Sequence, residues 1–272
     1  MDEYIIGLDS GTSGIKAVVF DKWGTELSKA ERTLRAYCEE ESWYEEEFEE
    51  IWEKAKDCIR EAAAGFDKNS IIGIGITAQG DGLWLFDEKL RPIRKGCCFC
   101  DGRGAEQFEK WGEDGTAEEV FRRAGTRIFT GNQPCILKWM DQYAPEELEK
   151  AKYCLHLKDA LFAYLTGKIS TDTTDQSLVF LDMRTGRYDP ELFRYYGLEK
   201  YLEKYPSVVH SWENKELILP EMAQELQISE NVMVTGGPMD VAACALGAGV
   251  IEEGECCCII GTAALHQMVI SE

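Results

Sequence analysis

The chain contains 272 residues, 44% of them hydrophobic and 29% charged, a composition typical of a globular protein that buries a sizeable core. Its 50 acidic residues outnumber its 29 basic ones, and the formal net charge of −21 argues against nucleic acid or an anionic membrane as a partner. The sequence has no hydrophobic run as long as a membrane helix and no basic signal-peptide segment at its start. Eleven cysteines without an export signal favour a reducing compartment, so we expect a cytoplasmic protein.

The first third of the chain predicts the opening of a mixed α/β sheet. Three strands are expected over 4–9, 15–21 and 26–34, joined by tight turns that contain glycine. Hydrophobic residues then recur with helical spacing over 48–66, and the uncharged run 71–78 is typical of a buried parallel strand. This order of elements fits a ribonuclease-H-like unit and also a simpler α/β sheet.

The rest of the chain predicts helical insertions followed by a return to the sheet. Between about 92 and 210, helices are expected near 105–111, 117–124, 145–151 and 158–166. Later elements are a buried strand, a helix of small residues and a further strand, over 231–237, 238–247 and 255–260 respectively. The acidic runs 39–41 and 45–47 are expected on a solvated face or at the start of a helix.

The loop between the first two strands carries the clearest functional signal. Asp9 ends the first strand, and Gly11, Thr12 and Ser13 lead into the second strand, which carries Lys16. Closely spaced backbone N–H groups and hydroxyls can bind phosphate oxygens, and the carboxylate suits a phosphate-bound Mg²⁺. If the ligand is ATP, Lys16 is a candidate for the local positive charge that its site requires. The spacing fits neither G-x-x-x-x-G-K-[ST] nor G-x-G-x-x-G, and an ordinary glycine-rich hairpin remains an alternative.

Two further features point to the same chemistry. A second strand-to-Gly-Thr loop occurs at Gly261 and Thr262, and Asp240 follows a strand and two glycines at the start of a helix. Asp240 can act as a general base for a hydroxyl group, or it can simply stabilise the helix N-terminus. With Asp9 and Thr12, these residues provide what phosphoryl transfer to an alcohol requires: an acid for the metal, an acid for the nucleophile, and phosphate loops.

At these motifs the chain resembles the FGGY family of carbohydrate kinases, in the actin-like, ribonuclease-H-like ATPase superfamily. The resemblance rests on eight motifs in the family's order, at 7–12 with 16–21, 77–82, 101–103, 136–139, 158–167, 171–177, 236–240 with 246–249, and 254 with 261–262. It implies a ribonuclease-H-like (actin-like ATPase) mixed sheet flanked by helices, with helical insertions. It also implies a substrate-binding N-terminal lobe over 1–248, and over 249–272 the first hairpin of a truncated nucleotide-binding lobe.

The resemblance further implies ATP-dependent phosphoryl transfer to a hydroxyl of a small sugar or polyol. Asp9 would organise Mg²⁺ and Asp240 would be the catalytic base. The ATP phosphates would contact residues of two facing loops and one strand, namely Gly11, Thr12, Ser13, Lys16, Gly261 and Thr262. Substrate contacts would come from Asp240 and from Gln79, Gly80 and Asp81, with Asp101 and Arg103 behind them. The adenosine-binding residues belong to the missing lobe, so the chain alone is not expected to be a competent kinase.

The sequence gives less information about the acceptor substrate and the oligomeric state. The segment 79–84 carries neither the Met-His pair of xylulokinases nor the Arg-Glu pair of glycerol kinases. It is more similar to the version in erythritol and related polyol kinases, which favours a small linear polyol. A homodimer is a further expectation, because family members are often dimeric. Two other hypotheses stay open: a non-catalytic sugar-binding or interaction module, and another actin-like ATPase.

Structural interpretations compete with functional ones at several residues. The cysteines at 97, 98, 100 and 256–258 are expected to be small buried hydrophobic residues, because only one C-x-x-C occurs and consecutive strand residues face opposite ways. His156 is expected to be a satisfied core residue. Asp81 and Arg103 could pair with each other across the cleft instead of binding a substrate.

Overall fold

The described residues of the computed structural model, 2–38, 40–260 and 264–271, form sixteen strands and ten α-helices. In chain order the strands are β1 (Tyr4–Ser10), β2 (Gly14–Asp21), β3 (Glu26–Thr33), β4 (Glu45–Glu46), β5 (Ile71–Ala78), β6 (Trp84–Phe86), β7 (Gly96–Cys97), β8 (Tyr153–Leu155), β9 (Thr171–Asp172), β10 (Leu181–Asp182), β11 (Arg187–Tyr188), β12 (Val208–Val209), β13 (Lys215–Leu217), β14 (Met233–Gly236), β15 (Cys256–Ile260) and β16 (Ala264–Met268). The helices are α1 (Phe48–Ala63), α2 (Ala105–Glu113), α3 (Thr116–Ala124), α4 (Gln133–Tyr143), α5 (Pro145–Lys150), α6 (Leu157–Thr166), α7 (Thr173–Gln176), α8 (Pro190–Tyr196), α9 (Pro220–Leu226) and α10 (Asp240–Gly247).

A six-stranded mixed sheet organises these elements, in the order β13-β14-β5-β1-β2-β3. Strands β1, β2 and β3 pair antiparallel, whereas β5 pairs in parallel with β1 and β14 pairs in parallel with β5. The five predicted sheet strands and the helix over 48–66 are confirmed, with ends that differ by up to three residues. The predicted α/β fold, a mixed sheet flanked by helices with helical insertions, is therefore correct.

Helices α1 and α6 cover one face of the sheet, where the largest hydrophobic core lies. The predicted stripe of α1 is buried, because every third or fourth residue from Ile51 to Ala62 faces the strands. A second core lies among the inserted helices and includes the stacked rings of Phe180 and Phe193, whose centroids are 3.8 Å apart. No helix in the described part of the chain has both the length and the hydrophobicity needed to span a membrane.

Part of the predicted acidic surface is instead buried. Glu45 and Glu46 have 6% and 1% of their surface exposed, so the expectation of a solvated face at 45–47 is wrong for both. Glu45 is buried because it forms ion pairs with Arg94 and Arg103, and buried charges require such partners. The expectation that this run starts a helix is correct, since α1 begins directly after Glu47.

The cysteine interpretation holds at two positions and fails at three. Cys97 and Cys98 are fully buried, as expected. Cys100, Cys256 and Cys258 are exposed, so the expectation of buried cysteines is wrong there. The reason for the last two is that, among the described residues, β15 and β16 form a separate two-stranded ribbon, which leaves much of its surface open.

We predict opposite effects of alanine at two glycines. A Cβ atom at Gly131 would overlap the backbone carbonyl of Phe99, so Gly131→Ala should lower the free energy of unfolding by about 2 kcal/mol or more. A Cβ atom at Gly112, within α2, would meet open space, so Gly112→Ala should raise the free energy of unfolding by about 0.5–1 kcal/mol. Urea unfolding of the two variants beside the wild type measures both changes. Equal stability of the two variants would contradict the packing at Phe99.

Candidate active site

A cavity of about 670 Å³ opens next to the carboxyl ends of β5 and β14. Ligands of open α/β sheets commonly bind at such strand ends. Two carboxylates line the cavity, Asp81 and Asp240, together with hydroxyl groups contributed by α7 and the residue after it. The remaining walls are largely hydrophobic and include Phe99, Phe129, Leu178, Met183, Met239, Val241, Ile259 and Leu265. A ligand here would be oriented by few polar groups within a mainly apolar enclosure.

Asp240 is the first residue of α10, and its carboxylate is half-buried beside the cavity. Its Oδ1 accepts a hydrogen bond of 2.7 Å from the backbone N–H of Val241. The pKa of Asp240 is raised to about 6, mainly by burial and also by the charges of Asp9 and Asp175, while hydrogen bonds from the backbone of Val241 and Gly80 oppose the increase. A carboxylate with this pKa is ionised at neutral pH and is a stronger base than an exposed aspartate.

Asp81 faces the same cavity from the loop after β5, held in an unusual backbone conformation. Its φ angle is +54° and that of Gly82 is +69°, so both residues are left-handed. Asn132 donates a hydrogen bond from its Nδ2 to Oδ1 of Asp81. Burial raises the pKa of Asp81 to about 7, although the nearby His156 lowers it. The predicted alternative, a pair between Asp81 and Arg103, is wrong, because Arg103 forms its ion pairs with Asp101 and Glu45 instead.

Gln79 connects two parts of the structure and is only 2% exposed. Its Oε1 accepts a hydrogen bond of 3.3 Å from the Thr12 hydroxyl, and its Nε2 donates one of 2.8 Å to Glu46. Burial raises the pKa of Glu46 to about 7. Gln79 thus ties the first loop to the start of α1, whereas Gly80 lines the cavity itself. The substrate contact that the sequence predicts for Gln79 remains a prediction.

Asp101 and Arg103 form a buried ion pair with no exposed side-chain surface. Arg103 Nε lies 2.7 Å from Asp101, and its guanidinium packs against the rings of Trp43 and Trp139, which also contact each other edge to face. Asp101 also accepts a hydrogen bond of 2.8 Å from the backbone N–H of Tyr44. Neither residue is among those that line the cavity. Their predicted role in substrate binding stays a prediction.

Asp9 and Lys16 lie in a second cleft, of about 710 Å³, between strands of the sheet and α10. Lys16 Nζ is 3.8 Å from Asp9 Oδ2, and both side chains are nearly half exposed. Burial raises the pKa of Asp9, and the charge of Lys16 opposes this increase. An accessible carboxylate with a single loose ion pair fits the predicted contact with Mg²⁺. Asp240 lines this cleft as well as the cavity, and it is therefore located where the two meet.

Of the two predicted phosphate loops, the first lies within the described residues and the second does not. In the first loop, Gly11 N–H donates a hydrogen bond of 3.0 Å to Gly14, which closes the turn and leaves the Ser13 side chain exposed. Gly261 and Thr262 lie outside the described residues, between the paired strands β15 and β16.

Comparison with known proteins identifies the family. The profile of the N-terminal domain of the FGGY family of carbohydrate kinases matches residues 4–247. The chain belongs to this family. It is 31% identical to the L-xylulose/3-keto-L-gulonate kinase of Escherichia coli (strain K12) over 268 residues, which are 97% of this chain and 54% of that protein. It is 30% identical to the erythritol kinase of Brucella abortus (strain 2308) over 268 residues, 97% of this chain and 52% of that protein.

The structure of a xyloylose kinase from Brucella ovis aligns with a TM-score of 0.89 at 26% identity, over 97% of this FGGY chain and 54% of the other. The predicted ribonuclease-H-like, actin-like ATPase fold is thereby confirmed. This FGGY chain spans about half the length of the curated relatives it matches.

The sequence did not reveal a buried ionic cluster under the cavity of this FGGY chain. The ammonium group of Lys158 contacts Asp172 and lies 3.0 Å from Asp175 and 3.6 Å from Asp159. His156 is fully buried beside them, as expected, but its Nε2 has no hydrogen-bond partner among the described residues, so the expectation of a satisfied side chain is wrong. Burial alone would lower the pKa of His156, but Asp175 and other neighbouring carboxylates raise it to about 8. The available sequence signal for this cluster was the occurrence of one lysine and three aspartates within a helical insertion.

The apolar walls of the cavity were also missed. Phe99 and Phe129 come from loops that are distant in sequence, and single aromatic residues in loops carry no pattern that distinguishes a ligand wall from a core. The left-handed backbone at Asp81 was likewise invisible, although the following Gly82 was a hint.

We predict that Asp81→Asn stabilises this FGGY chain more at pH 8 than at pH 5. Because the pKa of Asp81 is raised in the folded chain, protonation of Asp81 contributes favourably to the free energy of unfolding. This contribution is complete below the pKa of the Asp81 side chain in the unfolded chain, near 4, and is lost as pH rises through about 7. The difference in free energy of unfolding between variant and wild type should therefore grow by about 2 kcal/mol between the two pH values. Urea unfolding at both pH values measures it, with Glu26→Gln on exposed β3 as control. An equal effect at both pH values would contradict the burial of a titrating Asp81.

Proposed function

We propose that the complete protein transfers the γ-phosphoryl group of ATP to a hydroxyl of a small, uncharged sugar or polyol. The observation that supports this most is the position of Asp240, which lines both the cavity at the sheet end and the cleft of Asp9 and Lys16. A base that reaches both spaces can meet an acceptor on one side and a phosphoryl group on the other. In this proposal residues 1–248 form the acceptor-binding lobe, and 249–272 begin the nucleotide-binding lobe.

The residues around the cleft suit the phosphate end of ATP. Asp9 would hold Mg²⁺, which neutralises phosphate charge when bound, and Lys16 would add positive charge near it. The backbone and hydroxyls of Gly11, Thr12 and Ser13 would approach the phosphates from the first loop. Gly261 and Thr262 would do so from the facing loop. All seven assignments are proposals that rest on the family resemblance and, in the first loop, on the exposed side chain of Ser13.

The proposed chemical step uses Asp240 as a general base. The acceptor hydroxyl loses its proton to the Asp240 carboxylate as its oxygen forms a bond with the γ-phosphorus, and the bond between that phosphorus and the bridging oxygen of ADP breaks. The raised pKa of Asp240 favours this transfer, because burial makes the carboxylate more basic. Asp81 would accept a hydrogen bond from a second hydroxyl and so orient the acceptor.

The charge of the cavity favours an uncharged acceptor. The charged groups among its described lining residues are the carboxylates of Asp81 and Asp240. Lys158 and His156 lie behind them, and both are fully buried among carboxylates. A sugar acid would therefore meet like charge in a poorly solvated space, which costs several kcal/mol. The E. coli relative is named for both a neutral and an acidic acceptor, so charge selection needs its own test.

We expect Asp240→Asn to abolish transfer. In the complete product of the gene, read to its stop codon, ADP release should depend on one of a panel of erythritol, pentitols, ketopentoses, glycerol and hexuloses. Loss of the base should lower kcat by about 10²- to 10⁴-fold while acceptor binding, measured calorimetrically, is retained. Asp182→Asn, on β10, is the control for loss of an aspartate charge elsewhere.

Two results would contradict the proposal. An active Asp240→Asn variant would exclude this residue as the base. A folded wild type that shows no turnover with any acceptor would favour the sugar-binding or interaction module. The isolated 272-residue chain, assayed beside it, should show no acceptor-dependent ADP release.

Charge selection gives a second expected result. The wild type should use the preferred neutral acceptor with a kcat/KM at least tenfold higher than that for gluconate or other aldonates of similar length, a ratio of about 1.4 kcal/mol. Asp81→Asn should narrow this ratio, because it removes one negative charge and keeps an oxygen that can accept from Asn132. Competitive assays at pH 8, where Asp81 is ionised, are the most sensitive. A ratio unchanged by Asp81→Asn would remove Asp81 from the acceptor site.

A further inference from the structure

We infer that Thr174 is a positioning residue. Its hydroxyl links the buried ionic cluster around Lys158 with the loop that carries the base Asp240. The inference rests on the proposed function, because it assigns Thr174 an effect through Asp240. It concerns a contact between two parts of the chain, the inserted helix α7 and the loop 237–239 that connects β14 to α10.

The loop 237–239 is anchored at each of its three residues. Gly237 N–H donates to the carbonyl of Ile76 at 2.9 Å, and the hydroxyl of Thr77 donates to the carbonyl of Pro238 at 2.8 Å. Both of these partners belong to β5. The third anchor differs: Met239 N–H donates to Oγ1 of Thr174 at 2.9 Å, and Thr174 belongs to α7.

The third anchor satisfies a donor that the helix itself leaves unpaired. Met239 is the N-cap residue of α10, and the first N–H groups of a helix have no partner within it. In many helices a side chain three residues later bonds back to this N–H group. In α10 that residue is Ala242, which has no polar atom. Thr174 therefore supplies from another element the acceptor that α10 lacks.

The direction of the Thr174 hydroxyl is determined by Asp172. Oδ1 of Asp172 lies 2.6 Å from both the backbone nitrogen and Oγ1 of Thr174, while Oδ2 contacts the Lys158 ammonium. An ionised carboxylate only accepts hydrogen bonds, so the Thr174 hydroxyl donates to Asp172. Its lone pairs are then free to accept from Met239 N–H. The contacts from Met239 to Lys158 are thus continuous: Met239 N–H donates to the Thr174 hydroxyl, and Thr174 and the Lys158 ammonium both donate to Asp172.

This chain of contacts bears on the base because Asp240 directly follows Met239. The Asp240 carboxylate must reach both the cavity and the cleft, and small displacements of a reacting group can reduce a rate by about 100-fold. Without the Thr174 hydroxyl, the start of α10 would keep its two anchors to β5 but lose the one nearest Asp240. We expect a loss of kcat with little change in acceptor KM.

A direct contact between Thr174 and the acceptor is the competing explanation, since Thr174 also lines the cavity. That role would appear mainly in KM. It would also leave the Met239 amide unaffected in the free protein. The two explanations therefore differ in a property that needs no activity.

The first test is hydrogen exchange at single amides, in the complete gene product without nucleotide or acceptor. Thr174→Val keeps the shape of the side chain and removes the hydroxyl, so exchange at Met239 should accelerate at least about fivefold, whereas Gly237 and the β5 amides should stay unchanged. Thr174→Ser should resemble the wild type. Thr173→Val, which makes the same change at the neighbouring residue of the cavity wall, should leave Met239 unchanged. Thr174→Ala removes the same hydroxyl and replaces Thr174→Val if that variant does not fold.

The second test is steady-state kinetics on the same variants. Thr174→Val should lower kcat about 5- to 20-fold with acceptor KM within twofold of wild type, and Thr174→Ser should recover most of the loss. Unchanged exchange at Met239, or acceleration spread equally over the sheet, would overturn the inference. An effect confined to KM would overturn it as well.

The two proposals can fail separately. A wild type without any acceptor-dependent turnover would contradict the proposed function, and the exchange data would still show whether Thr174 holds the loop. An active wild type whose kcat is unchanged in Thr174→Val would contradict the positioning role and leave the proposed function intact.

Discussion

The parallel hydrogen-bond ladder through β1, β5 and β14 is the constraint on which the site depends. It continues past the ends of the strands: Gln79 N–H donates to Ser10 and Gly237 N–H donates to Ile76, each at 2.9 Å. The first bond fixes the start of the loop that contains Gly80 and Asp81. The second bond fixes the start of the loop that leads to Asp240. Because parallel strands end at the same edge, residues more than 150 positions apart meet around one cavity.

The inserted helices complete that edge with polar groups that would be costly to bury alone. Lys158 lies among three carboxylates, and the fully buried His156 lies beside one of them. Buried charges are tolerated when partners compensate them, and breaking such a pair is expensive. The cluster therefore makes the position of α7 relative to the sheet depend on electrostatics as well as on packing. The cavity is bounded by α7 and by the loops at the sheet edge, so its shape depends on how α7 is held against the sheet.

The fold was largely predictable because its signals are local. Strands β1, β2, β3 and β5 are seven or eight residues long and are either alternating or continuously hydrophobic, and α1 keeps its helical spacing over four turns. Helices α4, α8 and α9 were not predicted, although each begins at or next to a proline, which is common in a first turn. The hydrophobic residues of α4 and α8 face an insertion core with no regular period, whereas those of α9 face the core between the sheet and α1.

The site was predictable only where motifs follow strand ends. Gly80, Asp81 and Asp240 meet at the cavity, and Asp9 and Lys16 meet in the adjoining cleft. The motif around Asp101 and Arg103 identified the family, but a motif does not show that both side chains are buried against tryptophan rings. Such roles depend on contacts between distant segments, and spacing along the chain carries no information about them.

The most direct test of this account is a crystal structure of the complete gene product with a nonhydrolysable ATP analogue and the acceptor that supports turnover. The account predicts the acceptor in the cavity, with one hydroxyl oxygen about 2.6–3.2 Å from the Asp240 carboxylate and directed at the terminal phosphate, and another near Asp81. An acceptor bound outside this cavity, or one whose reactive hydroxyl faces a group other than Asp240, would contradict it.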